Sequence, residues 1–191
     1  MDLVGPLQED NEGNRYILTL QCELAKFVEC YPLPNKESTT LAKSFVNNFI
    51  LRCGIPHCII LDRDFENISS TLKETCKILK IKPSFSTAYH HETLGSLENS
   101  HKHLNLLKCE KHGTWSSWLP FWCFSYNNSV HIETRYTPYK LVFEKTCNLP
   151  TYIKKGTEPL YNCDCPSELK YRLQSAWLDA KSNLIKSIKN R

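Results

Sequence analysis

Three acidic residues stand where carboxylates do chemistry. Asp2 lies in a short apolar start, MDLV at 1–4; Asp62 directly follows the apolar run CIIL at 58–61; Glu98 lies in a helical pattern after AYHHE at 88–92 and Gly95. An acid at the carboxyl end of a buried strand points into the crevice where α/β sheets hold ligands. Carboxylates taken out of water need compensation. A hard divalent cation such as Mg²⁺ supplies it through oxygen ligands. Two such ions about 4 Å apart clamp the attacking and leaving oxygens of a phosphodiester displacement. That chemistry needs one carboxylate to bridge both ions and two more to hold them from other elements. Each acid also has an ordinary reading. An acid at a strand end caps the next element, and an acid in a helix faces solvent. Spacing alone leaves both readings open.

The elements that must position these acids follow from apolar periodicity. Residues 15–21 (RYILTLQ) and 26–31 (KFVECY) are rich in strand formers and read as a hairpin-like pair. Residues 37–52 read as a helix, with Leu41, Phe45 and Phe49 at four-residue spacing and Gly54 and Pro56 closing it. The run at 58–61 fits a buried parallel strand. Residues 70–79 read as a helix on Leu72, Cys76 and Leu79, and 82–87 as a short extended segment. Helices are expected at 93–111, 115–126 and 137–143, with a loop over 146–166. Ser167 is placed to cap a last helix with an apolar stripe of Leu169, Leu173, Trp177, Ala180, Leu184 and Ile188. This order implies an α/β domain with a mixed sheet.

Composition sets the class. The 191 residues include 8 Phe, 9 Tyr and 4 Trp, enough for a packed core. No run approaches the ~20 apolar residues of a membrane-spanning helix, and the start lacks the layout of a signal peptide, so a soluble intracellular protein is expected. Ten cysteines then read as reduced and mostly packed. No Cys-x-x-Cys pair is present; Cys163-Asp164-Cys165 is the nearest approach to a metal clip. The net charge of +4 hides a gradient: residues 1–98 hold 10 Lys/Arg and 13 Asp/Glu, residues 99–156 hold 8 and 3. A surface for a polyanion is therefore expected in the second half. Lys102 lies one helical turn beyond Glu98. It serves either a DNA phosphate or Glu98 itself, and Lys108 and Lys111 follow as further cations. The aromatic run at 115–126 reads as core or subunit interface.

Several segments resemble the catalytic core of retroviral and LTR-retrotransposon integrases, most of all the gypsy type. They are MDLVGP at 1–6, GNRYILTL at 13–20, KFVECYPLP at 26–34, FILRCGIP at 49–56, LDR at 61–63, STAYH at 86–90, TLGSLE at 93–98 and FSYNNSVHIETRYTPYKLVFEK at 124–145. The 35 residues between Asp62 and Glu98 match the family's interval. The resemblance implies a ribonuclease H-like fold, a mixed five-stranded sheet flanked by helices, over residues 1–153. Residues 154–191 would add a loop and a basic amphipathic helix. It further implies that Asp2, Asp62 and Glu98 are the catalytic acids and hold two Mg²⁺ or Mn²⁺ ions. Tyr89, His90 and Gly95 fall in the loop that approaches DNA; relatives carry a phosphate-contacting basic residue at the position of Lys102, and Lys108 is a further candidate for DNA. Cys22 stands where relatives often carry a non-catalytic Asp and is expected to pack.

The activity so implied is integrase-type polynucleotidyl transfer in DNA integration: 3′-end processing, then strand transfer. Expected partners are DNA and a second copy of the core, expected location the nucleus by way of the cytoplasm. The sequence departs from the family at Asp64, Asn67, His91 and Glu92, where relatives carry Gly, Phe, Pro and Gln. Those changes keep open a second reading, a catalytically inactive, repurposed nucleic-acid-binding or interaction module. A third, a nuclease on RNA–DNA hybrids, is opposed by the loop and the 124–145 motif.

Overall fold

The computed structural model describes residues 1–61, 70–85, 113–147 and 166–189. The chain forms two compact units, residues 1–21 with 29–123 and residues 22–28 with 124–191.

In the first unit, β1 (Asp2–Val4), β2 (Tyr16–Gln21) and β3 (Val28–Leu33) form one sheet in that order. β1 and β2 are antiparallel, with Asp2 opposite Thr19 and Val4 opposite Ile17. β4 (Cys58–Leu61) and β5 (Lys82–Phe85) pair in parallel, Cys58 opposite Lys82 and Leu61 opposite Phe85. The fold is thus α/β with mixed strand directions. Among the described residues, the single five-stranded sheet expected is instead a three-stranded and a two-stranded ladder. Between β1 and β4 the Met1 amino group donates to the Ile60 carbonyl (2.8 Å). That bond ties the edge of β1 to the edge of β4.

Helix α1 follows β3 as one run: Ser38–Ser44, a π-helical turn at Phe45–Ile50, and Leu51–Cys53. Leu41 and Phe45 are fully buried, as their spacing predicts, and Phe45 stacks on Phe49 (5.8 Å). The Tyr31 hydroxyl donates to the Asn48 carbonyl within the π turn (3.0 Å). Gly54, at φ 89°, ends the run in a conformation that only glycine adopts readily. Helix α2 (Ser70–Ile78) buries Leu72 and Cys76, one turn apart, and its start is fixed by a bond from the Thr71 amide to the Ser38 hydroxyl (3.0 Å). The core gathers Met1, Leu18, Leu33, Leu41, Phe45, Leu61 and Leu72.

Helix α3 (Trp115–Asn128) buries Trp115, Leu119 and Cys123 at four-residue spacing and leaves Phe121 and Phe124 exposed. In the second unit Thr137 caps α4 (Pro138–Phe143). Its hydroxyl accepts from the Lys140 amide (3.2 Å). Pro138 takes the first helical position, where its missing N–H costs nothing. Helix α5 spans Pro166–Lys189, so Pro166 opens the helix that Ser167 was expected to cap. Its inward line keeps Ala180 of the expected stripe and departs from it at other positions. Ala180 is fully buried with Ala176 beside it, whereas Trp177 and Ile188 are 43% and 54% exposed. Small residues let α5 approach Leu141 closely, and the Trp177 indole N–H donates to the Leu141 carbonyl (2.8 Å). The thiols of Cys30, Cys76 and Cys123 are buried as expected; Cys58 and Cys22 are exposed. Cys22 does not pack because β2 ends at Gln21, and its sulfur instead accepts the Ala25 amide of the turn (3.4 Å). The expected boundary at 153 and the Cys163–Cys165 pair lie outside the described residues.

Candidate active site

Asp2 is the one predicted site acid among the described residues. It opens β1 and is half-buried. Its carboxylate accepts the Leu3 amide (2.7 Å), and its carbonyl accepts the Thr19 hydroxyl (3.1 Å) from the paired strand. Thr19 is 1% exposed, so this bond pins the main chain of Asp2 from the buried face of β2. On the other edge, the Met1–Ile60 bond sets the backbone just before Asp2 against the backbone just upstream of position 62. Leu61 is 1% exposed and anchors that end of β4.

Asp62, Glu98, Tyr89, His90, Gly95, Lys102 and Lys108 lie outside the described residues. Among the described residues, no three His, Cys, Asp or Glu converge as metal ligands. The predicted donors are all carboxylates, which suits Mg²⁺ or Mn²⁺ and does not suit a soft metal.

A buried polar network that the acid spacing does not reveal supports the β1–β2 connection. Asp10 is 6% exposed. It accepts from the amides of Glu12 (2.9 Å) and Asn14 (2.7 Å) and from the Asn14 side chain (3.1 Å). Burial alone would push its pKa up, but the hydrogen bonds from Ser116, Asn14 and Glu12 together hold the carboxyl below its ordinary range. The same loop receives the Trp115 indole N–H on the Gln8 carbonyl (3.0 Å), and the Asn11 amide donates to the Gly113 carbonyl (2.8 Å). The chain re-entering at Gly113, downstream of Glu98, is thereby fastened to the loop that leaves β1. The sequence signal was the Asp10-to-Asn14 spacing with Gly13, a turn signature rather than a chemical one.

No family model matches the chain. Over 192 residues it is 38% identical to the Retrovirus-related Pol polyprotein from transposon 412 of Drosophila melanogaster, a match covering 96% of this chain and 15% of that protein. It is 27% identical over 154 residues to the Pro-Pol polyprotein of Simian foamy virus type 1, covering 78% of this chain and 13% of that one. The Gypsy retrotransposon integrase-like protein 1 of Bos taurus is 26% identical over 156 residues, 78% of this chain and 30% of its own. The crystal structure of the catalytic core domain of BIV integrase superposes with a TM-score of 0.58, at 17% identity, over 82% of this chain and 96% of that one. Its homologues are retrotransposon and retroviral Pol polyproteins, and its fold is that of an integrase catalytic core. The ribonuclease H-like architecture expected from the motifs is therefore present. The chain spans 15% of the transposon 412 polyprotein and 30% of the integrase-like protein, a small part of each relative's length.

Proposed function

We propose that this chain is a polynucleotidyl transferase core that joins DNA ends to a target duplex. The observation that carries the reading is the Met1–Ile60 bond. It brings the strand that bears Asp2 against the strand that leads into Asp62, within a fold shared with an integrase catalytic core.

In this reading Asp2, Asp62 and Glu98 supply the carboxylates for two Mg²⁺ or Mn²⁺ ions. When bound, such ions favour the deprotonated nucleophile and neutralise charge on the phosphate. Asp2 is held for that task by main-chain pairing and the Thr19 hydroxyl, so its position does not depend on a flexible loop. Two displacements follow. Water attacks the phosphodiester next to the 3′ end, breaking the bond to the 3′ oxygen, which leaves with a proton. That 3′ hydroxyl then attacks a target phosphodiester, forming a new ester and releasing the target's own 3′ oxygen. Neither step needs a covalent enzyme intermediate. Tyr89, His90 and Gly95 line the DNA approach, and Lys102 and Lys108 neutralise phosphate. The working form is an oligomer of cores on DNA, in the nucleus.

The test uses the full chain with a labelled duplex end and a supercoiled plasmid in Mg²⁺ or Mn²⁺. Wild type should give joined product only with the metal, and Glu98→Gln should give none. No product from wild type, or equal product from both, overturns the reading. Salt-sensitive DNA binding without joining would favour the inactive, repurposed module.

A further inference from the structure

The acidic half of the chain carries a basic ridge. Residues 77–82 read KILKIK, three lysines with no acid, inside a stretch 1–98 whose net charge is −3. Their backbone is closely fixed. Lys77 is in the last turn of α2. Lys80, at φ 56°, reverses the chain. The Ile81 amide closes the turn on the Cys76 carbonyl (2.8 Å), which satisfies one of the helix's terminal acceptors. Ile81 is 3% exposed and anchors the turn from beneath. Lys82 opens β5, its amide donating to the His57 carbonyl (3.2 Å). Lys77, Lys80 and Lys82 are all exposed, and among the described residues none of them makes an ion pair.

The helix dipole accounts for cations at the end of α2, its negative pole. It does not account for Lys82, which lies on a strand. Position matters as well. β4 and β5 run in parallel toward residues 62 and 86, and α2 returns between them. Its C-terminal turn therefore lies at the end where both strands begin, opposite the end where Asp62 follows β4. The ridge is separate from the end of β4 that leads into Asp62.

We propose that Lys77, Lys80 and Lys82 form a second contact surface for duplex DNA, gripping the phosphate backbone away from the crevice. The inference rests on the polynucleotidyl transferase reading for its choice of polyanion. An ammonium is a compact point charge that needs no fixed fork geometry. Three on a rigid turn therefore suit a sequence-independent backbone contact, held by counterion release.

The experiment is fluorescence anisotropy of the full chain on a short labelled duplex of arbitrary sequence, between about 50 and 200 mM KCl. The variants are K77Q/K80Q/K82Q, the charge-retaining K77R/K80R/K82R, and the control K181Q/K186Q/K189Q on α5, with thermal melts confirming folding. Each phosphate contact contributes a slope of about 0.9 in log affinity against log salt, so the Gln triple should flatten the slope by about 2.7. The Arg triple should keep it, and the control should change it less than the Gln triple. An unchanged slope in the Gln triple, or equal flattening in the control, overturns the ridge and leaves the enzymatic reading intact. Tighter binding of the wild type to phosphatidylserine vesicles than to DNA also overturns it. Failure of the wild type to bind DNA at all would overturn both.

Discussion

Asn127 offers a sharp test of how the second unit is held. Its side chain pairs with a single residue from both sides: the Val28 amide donates to Asn127 Oδ1 (2.9 Å), and Asn127 Nδ2 donates to the Val28 carbonyl (2.8 Å). Asn127 is 5% and Val28 1% exposed, so water does not substitute for either bond. Asn127→Leu removes both bonds and leaves two buried main-chain groups unpaired. At about 1–3 kcal/mol for each such group, the cost is about 2–6 kcal/mol. Asn127→Asp keeps one acceptor but turns an oxygen toward the Val28 carbonyl. Only the protonated acid, whose O–H donates, restores the pair. The folded-state pKa of this Asp must therefore rise above the unfolded value of about 3.9. A group with a raised folded pKa contributes its stability below the unfolded pKa and loses it as pH rises through the folded one. Denaturant unfolding across pH 4–8 checks this. Relative to wild type, the Asp variant should be weakest at neutral pH and recover toward pH 4, while the Leu variant's deficit stays flat. An Asp variant as stable as wild type at pH 7, or a deficit without pH dependence, would show that the paired bonds to Val28 do not hold this unit.

Two further outcomes concern the same unit. Lys26 and Glu133 form an ion pair (3.3 Å) with side chains only 7% and 10% exposed. Breaking a buried pair strands the other charge, so Lys26→Met should cost about 3–5 kcal/mol, and the double variant with Glu133→Leu should recover most of it. Chemical unfolding of the single and double variants measures this. Burial holds His131 below its ordinary pKa, with Lys26 adding to that effect and Glu133 opposing it, and its Nδ1 accepts the Glu133 amide (3.3 Å). The unfolded chain then binds the extra proton, so wild-type stability should fall as pH drops below about 6.5, and His131→Asn should remove that dependence in unfolding measurements at pH 5–8.

Much of the architecture was legible because it rests on periodicity. Leu41 and Phe45, Leu72 and Cys76, and the CIIL run all sit where their spacing places them. What was not legible depends on partners far apart in sequence. The Met1–Ile60 bond that joins the two ladders spans 59 residues, and Asn127 reaches Val28 across 99. The π turn in α1 is invisible to a period count, since its apolar residues also fit an ordinary helix. On α5 the stripe places Ala180 inward correctly, but it also takes in the large residues Trp177 and Ile188, which are exposed, and omits Ala176, whose small side chain permits close packing beside Leu141. Of the candidate site, the sequence nominates Asp2 among the described residues, and the structure adds the Thr19 hydroxyl that holds its main chain; the Asp10 network steadies the β1–β2 loop.

In the proposed reading Asp2 shares divalent metal with Asp62 and Glu98. Diffraction from Mn²⁺-soaked crystals of the full chain, recorded at the manganese edge, tests it directly. Two anomalous peaks about 4 Å apart are expected beside the Asp2 carboxylate, with Asp62 and Glu98 as further ligands. Peaks elsewhere, or none at Asp2 under saturating Mn²⁺, would contradict it.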